Sequence, residues 1–127
     1  MYKPLLLIID DEEDIRALYR SIIGRFFDFN IIEADSLESV RNILTTEIPD
    51  LVLLDLNLKD GVGFDAIPAL KKINSNVKIL IVTAFNHCKE KRKAVELGAV
   101  GLIAKPFDTN QLVEHIKNMN SNLNGKE

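Results

Sequence analysis

One cysteine, two histidines and no apolar run of membrane length are found in this 127-residue chain, and each shortage excludes something. Cys88 alone cannot form an internal disulfide, and with only His87 and His115 beside it there is no Cys/His set for zinc. Any metal here is therefore held by oxygen. The longest apolar run, Leu5 to Ile9, falls far short of the roughly 20 residues that a bilayer span needs, and no secretory apolar core follows the start. The expected location is the cytoplasm. Positive charge is also scarce: 16 Lys and Arg against 19 Asp and Glu leave a net charge of −3. That gives no excess for neutralising phosphates, which argues against nucleic-acid binding by this chain itself.

What is present suits one globular domain, with 46% hydrophobic and 28% charged residues. Leu5 to Ile9 lacks alternation and reads as a strand buried on both faces. From Glu12 to Phe27 the period changes, and Ile15, Leu18, Ile22, Ile23 and Phe26 predict an amphipathic helix with those residues inward. Phe29 to Ala34 reads as a second strand. Asp35 or Ser36 caps a helix expected to run to about Glu47, with Leu37, Val40, Ile43 and Leu44 inward and Pro49 closing it. Leu51 to Leu54 is a third strand, Asn57 to Gly63 a loop, and Pro68 places the start of the next helix near Asp65. Val77 to Val82 is strand four, Asn86 to Leu97 a charged helix stopped by Gly98, and Ala99 to Ala104 strand five. Asp108 with Gln111 marks the start of a last helix whose Leu112, Val113, Ile116 and Met119 face inward. From Asn118 the apolar period fades, so residues 121–127 read as a polar tail or the start of a linker. Five strands alternating with five helices call for an α/β fold: a doubly wound, three-layer sandwich around a five-stranded parallel sheet of order 2-1-3-4-5.

In such a fold chemistry sits outside the carboxyl ends of the strands. Strand one ends in Asp10, Asp11 and Glu12, strand three in Asp55, strand four in Thr83, and strand five in Lys105 and Pro106. Carboxylates at that density repel unless a cation neutralises them, and Mg2+, with hard oxygen ligands and room for a shared phosphate, is the natural candidate. The set is suited to phosphoryl transfer. Asp55 is placed as nucleophile, Asp10 and Asp11 as metal ligands, Thr83 as a hydrogen-bond donor and Lys105 as a counter-charge to phosphoryl oxygens.

The segments LLIIDDEEDIR, PDLVLLDLNL, ILIVTAF and GLIAKPF stand in that order, with 45 residues from Asp10 to Asp55, 28 to Thr83 and 22 to Lys105. In this the chain resembles the receiver domains of two-component response regulators, over about Lys3 to Met119. The resemblance implies a flavodoxin-like fold and a receiver domain over residues 1–120. It makes Asp55 the phospho-acceptor, with Mg2+ held by Asp10, Asp11, Asp55 and the backbone carbonyl of Asn57. Thr83 becomes the switch hydroxyl and Lys105 the phosphate-binding lysine, before a cis peptide bond to Pro106. Expected partners are a histidine kinase or phosphotransfer protein and an output domain or downstream protein. The implied response face is the fourth helix, fifth strand and fifth helix, which is also a route to a homodimer.

Two departures stand out. Leu102 occupies the switch position where the family usually has Tyr or Phe, and Lys59 replaces a common Pro, which predicts a looser loop after Asp55. Among other residues, Cys88 reads as a small buried filler and His87 and His115 as surface residues. Lys89 to Lys93 reads as a solvated charged face, with an output or dimer surface as the alternative. The bulk of Phe85 is expected to slow loss of the acyl phosphate. The chain is expected to be a switch that assists its own phosphorylation and hydrolysis, without a separate small substrate. Two other classes compete with it. A haloacid-dehalogenase-type hydrolase would want Asp where Asn57 stands, and an interaction module without phosphorylation would not need the full set of Asp10, Asp11, Asp55, Thr83 and Lys105. A flavodoxin-like cofactor binder is excluded, because carboxylates follow strand one where a phosphate loop would be.

Overall fold

A computed structural model describes residues 2–84 and 88–124, with side chains described as far as residue 121. The expectations for Phe85 and His87, and the last three residues of the tail, fall outside the described residues.

The apolar runs become β1 (Leu5–Ile9), β2 (Asn30–Ala34), β3 (Leu51–Leu54), β4 (Lys78–Thr83) and β5 (Gly101–Ala104). Between and after them lie α1 (Glu13–Phe26), α2 (Leu37–Ile43), α3 (Ile67–Ile73), α4 (Cys88–Glu96) and α5 (Thr109–Asn124). All five strands pair in parallel in the order β2-β1-β3-β4-β5, as the alternation of elements requires. The register aligns Ile9 with Leu54 and Leu54 with Ile81. β1 and β3 therefore end level with each other, and the residues that follow them, Asp10 and Asp55, emerge side by side.

Alternate residues of the strands feed two cores. Leu7, Ile9, Val52, Leu54, Ile79 and Ile81 pack beneath α2, α3 and α4, while Leu6, Ile8, Leu51, Leu53, Leu80 and Val82 pack beneath α1 and α5. Burial on both faces explains why these strands read as continuous apolar runs. Leu112, Val113, Ile116 and Met119 of α5 are buried as the periodicity predicts.

Several boundaries and orientations differ from the sequence expectation. On α1 the buried residues are Tyr19, Ile22 and Ile23, while Leu18 and Phe26 are 45% and 46% exposed. Leu18 lies at the edge of the buried stripe, bordering a groove with Pro106 and Phe107. Phe26 sits in the last turn beneath the Arg25 guanidinium, 5.4 Å from it. α2 ends at Ile43, short of Glu47, where Thr45 Oγ1 donates to the Asn42 carbonyl at 2.6 Å and diverts the backbone into turns. Its cap is Ser36, whose hydroxyl accepts from Ser39 N–H. Asp108 Oδ1 accepts from Asn110 N–H at 3.0 Å at the head of α5, which runs on to Asn124 beyond the fading of its apolar period. Cys88, read as buried, is exposed. No helix among the described residues is long and apolar enough to cross a membrane.

The stretch Asn57 to Gly63 is more than a loop. Asn57–Leu58 and Gly61–Val62 form a two-residue antiparallel hairpin, and a 3-10 turn, Gly63–Ala66, leads into α3 with Pro68 in its first turn.

Candidate phosphoryl-transfer site

The carboxyl edge of the sheet gathers the residues that the strand ends nominate. Asp10 is 1% exposed, Asp55 6% and Thr83 0%, so three polar groups are buried where the apolar strands stop. Lys105 reaches in from the end of β5. Its Nζ lies 2.8 Å from Asp10 Oδ2 and 3.0 Å from Asp55 Oδ2, bridging residues 95 and 50 positions away in the chain. The Lys105–Pro106 peptide is cis, as the resemblance implies.

Each buried acid also has a local partner. Asp10 Oδ1 accepts from Glu12 N–H at 2.9 Å, and Asp55 Oδ1 accepts from Asn57 N–H at 3.2 Å. Asp10 is therefore not the cap of α1: the N-cap position belongs to Glu12, which makes no side-chain capping bond. Burial pushes the Asp10 carboxyl up, against the opposing pull of Lys105 and the Glu12 N–H, with the nearby Asp55 charge adding to the rise. For Lys105, burial works to lower the ammonium, but its bonds to Asp10 and Asp55 outweigh it and the group is held above the usual lysine range. The Tyr19 phenol beneath the site is pushed up strongly by burial and then by the two carboxylates. The site thus carries more negative charge than one lysine balances.

Asp11 completes the acidic group from a more exposed position. Oxygen atoms of Asp10, Asp11 and Asp55 lie within 4.8 Å of one another. An all-oxygen set of this density, with burial opposing the charge on Asp10, fits a small hard divalent cation such as Mg2+. Leu102 is partly buried and packs on the core shared with α4.

Four residues near the site escaped sequence reasoning. Arg16 Nη1 donates to the Asp10 carbonyl at 2.7 Å while its Nε meets Glu33 at 2.9 Å, which steadies the backbone at the end of β1. Its helical position beside Glu13 was the available signal. Gly63 is fixed by close approach: a Cβ there would stand 2.1 Å from the Asp55 carbonyl oxygen, so no side chain fits. Asp60, in the hairpin turn, bonds the start of α2; the Asp60–Gly61 dipeptide is a hairpin signal in its own right. Glu90, on α4, borders a cavity with Leu56, Asn57, Val62 and Phe64, and its Oε1 is buried without a hydrogen-bond partner among the described residues. No pattern in the sequence marks it. Lys59, expected to loosen this loop, places Nζ 3.2 Å from Asp35 Oδ2, with both side chains exposed.

Residues 6–117 match the model of the response regulator receiver domain. The chain is 32% identical over 117 residues to sporulation initiation phosphotransferase F of Bacillus subtilis, covering 92% of this chain and 94% of that protein. It is 37% identical over 122 residues to the sensory transduction protein LytR of Staphylococcus haemolyticus, covering 93% of this chain but 47% of that one. It thus spans nearly the whole of one curated relative and about half of the other. Among solved structures, a CheY-like receiver domain protein from Methanospirillum hungatei superposes with a TM-score of 0.90 at 21% identity, covering 99% of this chain and 100% of that one. The non-phosphorylated HemR receiver domain from Leptospira biflexa gives 0.84 at 27% identity, covering 92% and 94%.

Proposed function

This chain belongs to the response regulator receiver domain family, whose members are phosphorylation-dependent signalling switches, and on that premise we propose that Asp55 is its phospho-acceptor. The observation that carries the reading is the bridging of Asp10 and Asp55 by Lys105 at 2.8 and 3.0 Å, where three strand ends meet. Asp10, Asp11, Asp55 and the Asn57 carbonyl are the residues that would hold Mg2+, which supplies charge neutralisation to a phosphoryl group in transfer.

The remaining work falls to side chains of this chain. An Asp55 oxygen attacks phosphorus in line, a new P–O bond forms, and the P–N bond to a donor histidine breaks with its electron pair returning to the ring nitrogen. Lys105 turns from its two carboxylates to the phosphoryl oxygens, and the Thr83 hydroxyl donates to another of them. Removal of Lys105 from Asp10 and Asp55 couples the site to β5, on which Leu102 repacks against the α4 side of the core. The response is carried by α4, β5 and α5, where Val95 and Val100 stand 71% and 47% exposed, and this face also serves a homodimer.

Receiver domains interact with histidine kinases or phosphotransfer proteins and often with output domains. Here the donor is a phosphohistidine protein in the cytoplasm, and the chain assists its own phosphorylation and hydrolysis without a separate small substrate. The receiver unit extends over residues 1–120, in keeping with the match over 6–117, and residues 121–127 are a polar tail or the start of a linker.

Intact-protein mass after incubation with acetyl phosphate and Mg2+ tests the proposal. Wild type is expected to gain one phosphoryl mass only with Mg2+ present, and Asp55→Asn to gain none. An unmodified wild type that also fails to bind beryllofluoride, beside a control receiver that reacts, overturns it in favour of an interaction module without phosphorylation.

A further inference from the structure

The hairpin that follows Asp55 is tied at its turn to a different part of the molecule. Asp60 Oδ1 accepts from Leu37 N–H at 2.8 Å and Oδ2 accepts from Glu38 N–H at 3.0 Å. These are the first two amides of α2, which no helical turn can satisfy. The third, Ser39 N–H, goes to Ser36 Oγ at 3.1 Å, and Val40 N–H starts the helix's own ladder on the Ser36 carbonyl at 3.1 Å. With Ser36 N–H going to Ser39 Oγ at 3.1 Å, two of the four unpaired donors at this helix start are thus served from the hairpin. The same amides hold the Asp60 carboxyl below the usual carboxylate range.

Two further contacts seat the turn. Leu58 is buried in one cluster with Leu37, and Lys59 pairs with Asp35. At Gly61 a Cβ would stand 2.6 Å from Leu37 Cδ1, and its φ of +153° is one that side chains rarely adopt. The base of the hairpin is anchored to the site: Asn57 N–H meets Asp55 Oδ1, and Gly63 N–H donates to the Leu56 carbonyl at 2.8 Å. A hairpin with only two paired positions does not hold its shape alone. Its geometry is set by its anchors.

We infer that Asp60 is a positioning residue for the metal: by pinning the hairpin turn to the start of α2 it fixes the Asn57 carbonyl and thereby sets the affinity for Mg2+. The inference rests on the reading above that this carbonyl is a ligand. Mg2+ demands near-ideal octahedral geometry, so freedom in one backbone ligand is paid in affinity. The anchor lies outside the acidic cluster of Asp10, Asp11 and Asp55.

Mg2+ titration of the full chain, followed by amide NMR shifts, tests this with Asp60→Ala and Ser36→Ala. Ser36→Ala removes the other cap of α2 without touching the hairpin, so it controls for a weakened helix. Asp60→Ala is expected to raise the Mg2+ dissociation constant about tenfold, the lower edge of what indirect ligand support is worth, while Ser36→Ala leaves it unchanged. Saturating Mg2+ is expected to restore the phosphorylation rate of Asp60→Ala with acetyl phosphate. An unchanged constant in Asp60→Ala, or an equal rise in Ser36→Ala, overturns the inference alone. A wild type that binds no Mg2+ overturns it together with the reading of the site. Should Asp60→Ala not fold, Asp60→Asn retains one acceptor oxygen and is expected to show a smaller rise in the same direction; no rise there counts against the inference equally.

Discussion

Two segments flank Asp55, the proposed phospho-acceptor, and they are built in opposite ways. The hairpin after β3 is fastened at both ends by backbone bonds, a glycine that admits no side chain and the Asp60 clamp. α4 on the other side buries only Ala94, leaves Val95 71% exposed and Cys88 exposed, and keeps one Glu90 oxygen buried without a hydrogen-bond partner among the described residues. Its contact with the 3-10 turn includes Lys93 Nζ, 5.1 Å from the centre of the Phe64 ring. Few buried apolar contacts mean a low free energy of local opening. Dense anchoring thus lies on one side of Asp55 and sparse packing on the other, a division that suits a switch.

The strongest way to break this contrast is Gly63→Ala. The added methyl must displace the Asp55 carbonyl, so a loss of about 3 kcal/mol in denaturant unfolding is expected, together with Mg2+ binding. Next comes Ala94→Asp, which buries an unpaired charge at the buried residue of α4. A cost of about 2 kcal/mol is expected, with the Mg2+ constant left as in wild type. If that constant moves as far as it does in Gly63→Ala, the two segments are not independent. Glu90→Leu removes a buried oxygen that has no partner among the described residues and is expected to stabilise by about 0.5 kcal/mol, slowing hydrogen exchange in α4 but not in the hairpin.

Acid separates the anchors of the hairpin from the buried acid at the end of β1, and does so most gently. The Asp60 and Asp35 carboxyls are lowered on folding, Asp60 chiefly by the Leu37 N–H and Asp35 chiefly by Lys59, so their contribution is present above the ordinary aspartate value. It is lost as pH falls through the lowered folded values. Asp10 is raised by burial, so between the ordinary and the raised value the folded state binds more protons than the unfolded, and stability falls as pH rises through that window. In Mg2+-free buffer, unfolding curves of Asp10→Asn against wild type are expected to diverge on the rising side of that window, in favour of the variant. Those of Asp60→Asn are expected to diverge above the lowered value, in favour of wild type.

The sheet was legible because both its faces are covered: Leu5–Ile9 and Leu51–Leu54 are apolar throughout, and the acids that end them stand out by contrast. The positions of Asp10, Asp11, Asp55, Thr83 and Lys105 follow from strand order alone. What was not legible depends on where a helix stops relative to the sheet or on very short pairing. Leu18 and Phe26 share the spacing of Ile15 and Ile22, yet one lies at the stripe's edge and the other in the last turn, and Tyr19 fills the space between. The hairpin offers two residues per arm, too few for any alternation to register. The slack expected from Lys59 in place of proline weighed only the backbone; the exposed ion pair to Asp35 and the Asp60 bonds are side-chain contacts that the sequence does not display.

Lys105 has a consequence for synthesis. The lysine that joins Asp10 to Asp55 stands 95 and 50 residues after them. A nascent chain presents both acids well before it presents their counter-ion, and until β5 arrives the edge of the partial sheet carries like charges facing one another. The cluster therefore works against early closure of its own sheet edge, and competence to receive a phosphoryl group appears only when nearly the whole domain has left the ribosome.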